Sequence, residues 1–511
     1  MLDAVLKSGI LCPAMELSPS SASRHSLTKT LLLATVRCPK LAWWLAHDPA
    51  APETRTTLAS DARLRQGLEV GALARTYVPG GHLVARGGRS IEAMVAETEA
   101  ALTGVAPAIY EAAFQVEDSL LFTDILLRTG SSWTLIEVKS ATSVGEDHVL
   151  DAAFQTYLLR AAGVEVTRVD VMHLNRECRY PDLKTLFLRV DVTDGVTALL
   201  PRVAEEVPTL RRTLAGPLPN IDTGDHCTTP RACPFKARCW PPLPDHHVST
   251  LYRVHKKKVQ EYVAAGYHTI PDLPETMKLS ATAARQRRAV REGTVVVERD
   301  ALMLALQTLT PPVAHLDFET VQLAVPRWPG CRPYDQVPVQ VSCHVVDVDG
   351  TVTHHAWLAD GPDDPRPVAA AAVLNACRGA RTVTAYFAAF EQSRLRELAE
   401  ACPALAADLL SLADAIVDLL PVVRDHVYHP AFGGSFSLKK VLPALVPSLR
   451  YDDLVIREGE TASVELSRML FEMTASTAEE REELREMLLA YCERDTEAMV
   501  ALTARLMELC A

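Results

Sequence analysis

With 511 residues, 48% of them hydrophobic and 23% charged, the chain has ordinary globular composition and the length for two to four domains with full-sized cores. A net charge of −12 excludes a protein that coats nucleic acid through bulk positive charge, so any such contact must be local. No uninterrupted apolar run is long enough to span a bilayer, and residues 1–26 lack the basic start and apolar centre of a signal peptide and read as a loose leader. The compartment expected is the cytoplasm, where thiols stay reduced, so the twelve cysteines should be metal ligands or buried apolar residues.

Leu27–Ala46 predicts a helix, a short break at Cys38 and Pro39, and a second amphipathic helix. Arg63–Arg75 predicts another helix. Phe114–Ser140 (FQVEDSLLFTDILLRTGSSWTLIEVKS) holds two apolar, β-favouring runs around Thr129-Gly130-Ser131-Ser132, a hairpin signature. A turn centred between Gly130 and Ser131 sets Asp124 opposite Glu137, with Cβ atoms about 5 Å apart. Lys139 shares their face, while Ile136 and Val138 point into a core. Two facing carboxylates repel unless a cation lies between them, and a divalent metal with a lysine beside it would serve. An amphipathic hairpin with a surface ion pair is the structural alternative. Glu111 reads as an exposed strand-end residue, leaning into this pair being the alternative. His148–Leu159 predicts a helix with Asp151 and Gln155 four apart on one face, which either meets a substrate backbone or is solvated.

Three cysteines, Cys227, Cys233 and Cys239, then follow in a proline-rich loop. They need a fourth ligand, and Cys38, beside a proline and two tryptophans, is the best candidate. Four thiolates suit zinc or an iron–sulfur cluster, and the tight C-x2-C knuckles usual for zinc are missing. Cys12 and Cys178 lack such context. Residues 246–310 predict short helices with a local basic excess, Lys256, Lys257, Lys258, Arg285, Arg287, Arg288 and Arg291, which reads as a phosphate-contacting bridge or as solvated linker helices.

A new α/β pattern begins at Val313–Thr320 (VAHLDFET), where Asp317 and Glu319 lie two apart on a strand and share a face. Strands follow through Val339–Val348 and His354–Leu358, then a helix through Val368–Arg378. Thr382–Glu391 is a strand running into a helix that presents Glu391. Gly434–Leu442 opens a helix before Pro443, with Ser437 and Lys439 set to meet a phosphate or simply to cap it. Glu479–Leu509 is one long helix with Tyr491 and Asp495 on one face.

Two resemblances follow. The Asp124…Glu137-x-Lys139 arrangement, with one cysteine before it and three after, resembles the iron–sulfur RecB-like branch of the PD-(D/E)XK nucleases, of the AddB and CRISPR-associated type, over residues 27–245. It implies a restriction-endonuclease-like fold, a 4Fe–4S cluster on Cys38, Cys227, Cys233 and Cys239 (zinc being the alternative), and one or two Mg²⁺ or Mn²⁺ ions on Asp124 and Glu137. It also implies catalytic roles for Lys139 and Gln155. The family's first motif usually carries a histidine; here that position is Gly71, with Glu69 nearby as a weak substitute.

Residues 311–511 resemble the DEDD exonucleases of the ribonuclease-H-like fold, tyrosine subclass. This implies a mixed-sheet domain in which Asp317, Glu319, Glu391 and Asp495 hold Mg²⁺ or Mn²⁺ and Tyr491 orients the attacking water. Asp418 rivals Glu391 as the third acid, and Phe387 stands where Asn is usual. Together the two imply a metal-dependent nuclease joined by a helical linker, acting on DNA in preference to RNA. A nucleic-acid-binding scaffold with one or both sites inactive is the alternative.

Overall fold

A computed structural model describes residues 27–473 and 477–510; the expected leader, with Cys12, lies outside the described residues. The chain is mixed α/β and divides into two compact units. The first comprises the described residues through Pro241 together with Leu323–Asp335, and the second comprises Pro242–Gln322 and Gln336 onward. Among the described residues no helix is long and apolar enough to cross a membrane.

The first unit is built on a six-stranded sheet of β1 (His82–Leu83), β2 (Ala108–Tyr110), β5 (Ile125–Thr129), β6 (Ser132–Lys139), β7 (Val166–Leu174) and β8 (Phe187–Asp191), in that spatial order. The hairpin β5–β6 turns at Gly130, whose φ of +65° suits a primed two-residue turn. Its register runs from Thr129↔Ser132 to Ile125↔Ile136, and one further step sets Asp124 across from Glu137. The run Phe114–Arg128 is not one strand. β3 (Ala113–Val116) and β4 (Ser119–Phe122) form a separate two-stranded ribbon. Its turn at Glu117 and Asp118 is held by the Arg211 guanidinium.

β6 and β7 run parallel, joined by the crossover helix Glu146–Ala161. That helix buries Ala152, Phe154, Leu158 and Leu159 against helices Lys29–Arg37 and Thr193–Ala215. Each fully buried Leu or Phe contributes about 1.5–3 kcal/mol. On helix Leu58–Thr76, Val70 and Leu73 join Leu174 and Leu186 in a second cluster that Ala324 and Val325 complete.

The second unit carries a five-stranded sheet in the order β12 (Val352–Leu358), β11 (Gln336–Val346), β10 (Val313–Gln322), β13 (Thr382–Ala385) and β14 (Ile416–Asp418). β10, β11 and β12 are antiparallel, while β13 and β14 run parallel to β10. A short ladder pairs β9 (Val296–Val297) with β15 (Val427–Tyr428). Alternation along β10 divides its side chains. Ala314, Leu316 and Phe318 pack on helices Arg366–Ala376, Ala389–Ala401 and Ala406–Ala415; the intervening His315, Asp317 and Glu319 take the opposite face. Helices Gly459–Phe471 and Ala478–Cys510 cover that face. Helix Leu438–Leu445 continues through Pro443 rather than stopping before it.

The basic bridge is corrected by the packing. Arg285 is buried and donates to the Arg424 carbonyl, Arg287 to the carbonyls of Pro274 and Glu275, and Arg291 to those of Pro271 and Leu273. Arg288 pairs with Glu298 at 2.8 Å. Arginines that look like a phosphate patch in one dimension serve as local staples; Lys256, Lys257 and Lys258 are exposed, with Lys258 paired to Glu261 at 2.9 Å.

Candidate functional site

In the first unit β6 and the crossover helix bring Glu137, Lys139, Asp151 and Gln155 together, and Lys29 joins them from helix Lys29–Arg37. Glu137 is 1% exposed, and a buried carboxylate is tolerable only when paired and hydrogen-bonded. It accepts from Lys139 Nζ at 2.6 Å, from Lys29 Nζ at 3.2 Å and from Gln155 Nε2 at 2.6 Å. Asp151 accepts from the same three groups, at 2.6, 3.4 and 3.0 Å.

The face holding Asp151 and Gln155 is therefore not solvated: both side chains are buried in the centre. Burial alone would lower the Lys29 pKa, but Glu137 and Asp151 outweigh it and the net shift is upward, as for Lys139. Asp124 Oδ2 accepts from the Val138 N–H at 2.7 Å, and burial raises the acid's pKa against the opposing pull of Lys29 and that N–H. The positive charge between Glu137 and Asp151 thus comes from two ammonium groups. Among the described residues, Asp124, Glu137 and Asp151 do not bring three ligand oxygens within 4.8 Å of one another.

Two neighbours are corrected. Glu69, the weak substitute for a missing histidine, is ion-paired to Arg327 at 2.9 Å. Glu111 is half-buried, in the left-handed region at φ 58°, and paired to Arg86 at 2.5 Å.

The four cysteines line a single small cavity between the ends of this unit, and none is in a disulfide. Cys38 sits at the junction of the first two helices, Cys227 closes the turn Asp225–Cys227, and Cys239 ends the short helix Lys236–Cys239. Arg37 donates to the His226 carbonyl at 2.8 Å and Lys40 to that of Ile221 at 3.0 Å, fastening the two ends together. Burial, and then the neighbouring thiols, raise the pKa of Cys233 and Cys239 against nearby cations. Tetrahedral zinc with Zn–S bonds of about 2.3 Å needs sulfurs about 3.8 Å apart. No three of these thiols lie within 4.8 Å of one another, and their donor chemistry suits zinc or an iron–sulfur cluster. Cys178 is buried elsewhere and donates to the Asp182 carbonyl.

The second unit holds a centre of different character. Asp317, Glu319 and Asp495 place one oxygen each within 4.8 Å of one another. All three are half-buried, and desolvation, followed by mutual repulsion, raises the pKa of Asp317 and Glu319 well above the usual range. Asp495 is raised by burial and held down by the Tyr451 and Tyr491 hydroxyls and by Lys439. Tyr451 donates to Asp495 Oδ1 at 2.5 Å, and the Cys492 thiol donates to Asp317 Oδ2 at 3.3 Å.

Lys439 Nζ donates to the Tyr491 hydroxyl at 3.0 Å and to the Arg457 carbonyl at 2.6 Å, and lies over the rings of Tyr451 and Tyr491. Ser437 occupies the N-cap of the same helix without a side-chain cap bond. Glu391 is 3% exposed with one oxygen lacking a hydrogen-bond partner. Its pKa is raised to about 8, by burial first and then by Asp418 and Asp495. Asp418 instead spends Oδ1 on the N–H groups of Phe387 and Leu420, capping the helix Leu419–His426. Phe387 is 59% exposed with a φ of 67°.

Lys29, Tyr451 and Cys492 were not singled out from sequence. Lys29 carried no signal that set it apart, since its helix holds a second cation in Arg37. Tyr451 lies in an irregular loop with no period to tie it to Asp495.

Residues 314–437 match a family model described as a domain of unknown function, DUF2779. The match takes in Asp317, Glu319 and Glu391 and stops short of Lys439, Tyr491 and Asp495. No curated protein matches the chain.

Proposed function

We propose that the chain is a metal-dependent nuclease whose cutting centre is the acidic cluster of the second unit, of the DEDD type in a ribonuclease-H-like fold. The observation that carries this reading is the convergence of Asp317, Glu319 and Asp495 within 4.8 Å, half-buried and mutually destabilised in their charged forms. Such a cluster favours hard divalent cations over any protein cation nearby. Asp317, Glu319, Asp495 and the bare oxygen of Glu391 would hold Mg²⁺ or Mn²⁺, which supplies activation of water and neutralisation of charge on a phosphodiester. Tyr451 orients Asp495. Lys439 holds the Tyr491 hydroxyl by donating to it, which leaves the phenolic proton directed elsewhere, toward Asp495 or an incoming water. Lys439 also supplies the positive charge beside the carboxylates that a phosphate oxygen would meet.

The first unit is read as a RecB-like PD-(D/E)XK domain, with Asp124 and Glu137 as its acids and Lys139 and Gln155 beside them. A 4Fe–4S cluster on Cys38, Cys227, Cys233 and Cys239 is supported by the four thiols lining one cavity. DNA is the substrate favoured by this pairing. A second reading, in which the first unit grips the strand without cutting, is favoured by Lys29 and Lys139, which already neutralise Glu137 and Asp151.

The test is cleavage of end-labelled single- and double-stranded DNA and RNA with Mn²⁺, using Asp317→Ala and Asp124→Ala separately and together. Loss of cleavage with Asp317→Ala supports the cutting centre. Cleavage untouched by all three variants would overturn the nuclease reading. Retention in Asp124→Ala with weakened strand binding would assign the first unit to gripping.

A further inference from the structure

The sheet face that carries Asp317 and Glu319 carries a second row of ligating side chains one step along the strands. His315, His344 and His354 are register partners across β10, β11 and β12, so all three share that face. Over them, helix Ala478–Cys510 places Glu493 and Thr496. The rings of His344 and His354 stack with centroids 4.3 Å apart. Ligand atoms of His344, His354 and Glu493 all lie within 4.8 Å of one another.

The Thr496 hydroxyl lies 3.0 Å from the Glu493 carbonyl oxygen and 2.8 Å from both His344 Nδ1 and Ser342 Oγ, and Ser342 Oγ lies 2.9 Å from His354 Nε2. These contacts hold both rings in place and leave His354 Nδ1 facing Glu493 Oε1 at 3.4 Å. Burial, followed by the neighbouring imidazoles, lowers the His344 pKa to about 4, and burial lowers that of His354 against the pull of Glu493, which favours the neutral, ligating form of the rings.

We propose that His344, His354 and Glu493 bind a divalent first-row transition metal, Zn²⁺ foremost, at a site distinct from the carboxylate centre. Two imidazoles and a carboxylate suit zinc and its neighbours rather than Mg²⁺. Bound there, the metal pins helix Ala478–Cys510 to β11 and the edge strand β12. The same helix presents Tyr491 and Asp495, two residues to either side of Glu493, so the site positions the acidic centre without touching it.

The test is titration of the metal-stripped full chain with Co²⁺ under anaerobic conditions, followed by Zn²⁺ displacement. The d–d absorption of this site is the part that Glu493→Gln loses without any change in the thiolate charge-transfer absorption, which reports Co²⁺ on the cysteines. Glu493→Gln and His354→Gln should each weaken that band's titration by about tenfold or more. His355→Ala, whose side chain alternates to the other sheet face, should leave it unchanged. Glu493 is exposed, so its substitution leaves the core intact; thermal unfolding of the stripped variants checks this for His354→Gln. Equal Co²⁺ titration by wild type and Glu493→Gln, or an equal loss in His355→Ala, would overturn the proposal.

Discussion

Replacing Asp317 by asparagine keeps the shape of the acidic centre and an acceptor for the Cys492 thiol, while removing one of three crowded charges. Two unit charges 4.8 Å apart repel by about 3.5 kcal/mol at an effective dielectric of about 20. The metal-free protein escapes part of this by retaining protons. Holding an acid of ordinary pKa near 4 protonated at about pH 8 itself costs roughly 5 kcal/mol, at about 1.36 kcal/mol per unit. Either route leaves a penalty that Asp317→Asn relieves, and after relaxation about 2 kcal/mol is a reasonable yield. For a unit of this size that raises the midpoint of thermal unfolding by about 4–8 °C in EDTA at about pH 8. Excess Mn²⁺ should reverse the order. A cation at one hundred times its dissociation constant stabilises by about 2.7 kcal/mol, and the variant forfeits most of that. Calorimetry with and without Mn²⁺ measures both signs. An Asp317→Asn protein that melts below wild type in EDTA, or a wild type indifferent to Mn²⁺, would refute the reasoning.

Glu391 gives a pH signature. Its pKa is raised to about 8 in the fold, so the native state binds more protons than the unfolded one above the ordinary carboxylate range. Stability therefore falls as pH rises from about 4.5 toward about 8, and Glu391→Gln should flatten that slope in metal-free urea titrations. In the first unit, Lys139→Met leaves Glu137 and Asp151 buried with one cation fewer and should destabilise by about 3 kcal/mol; replacing Lys29, whose side chain is 40% exposed, by Met should cost about 1 kcal/mol. Urea midpoints rank the two, and a larger loss for Lys29→Met would contradict the geometry. Tyr451→Phe removes a donor to Asp495 and should slow cleavage by about tenfold, with the acid limb of the pH–rate profile moved upward. Cys227→Ser should abolish visible absorption of anaerobically purified protein; colourless wild type with stoichiometric zinc would reject the cluster.

What could be read from one dimension follows from periodicity. Asp317 and Glu319 share a face because strands alternate, Tyr491 and Asp495 because helices repeat near four residues, and Asp124 faces Glu137 because a two-residue turn sets the register. Contacts without a local period were illegible. Lys29 reaches Glu137 from more than one hundred positions away, Tyr451 meets Asp495 from an irregular loop, and Arg327 reaches Glu69 from a distant excursion. The Arg285–Arg291 cluster misled for a related reason: charge is visible in a sequence, but the carbonyls that absorb it are not. The histidine ladder was equally hidden, since His315, His344 and His354 become neighbours only once three strands are aligned.

The first unit is not a continuous stretch of polypeptide. Leu323–Asp335, emerging between β10 and β11, lays Ala324 and Val325 against Val70, Leu73 and Leu174. Its backbone and side chains bond to Gln66, Tyr180 and the Ser140 carbonyl beside Lys139. A gene cut after Pro241 would therefore yield a fragment with an unroofed apolar surface, prone to self-association on expression. Splicing Leu323–Asp335 back through a flexible tether is the way to recover a dissectible, separately assayable half.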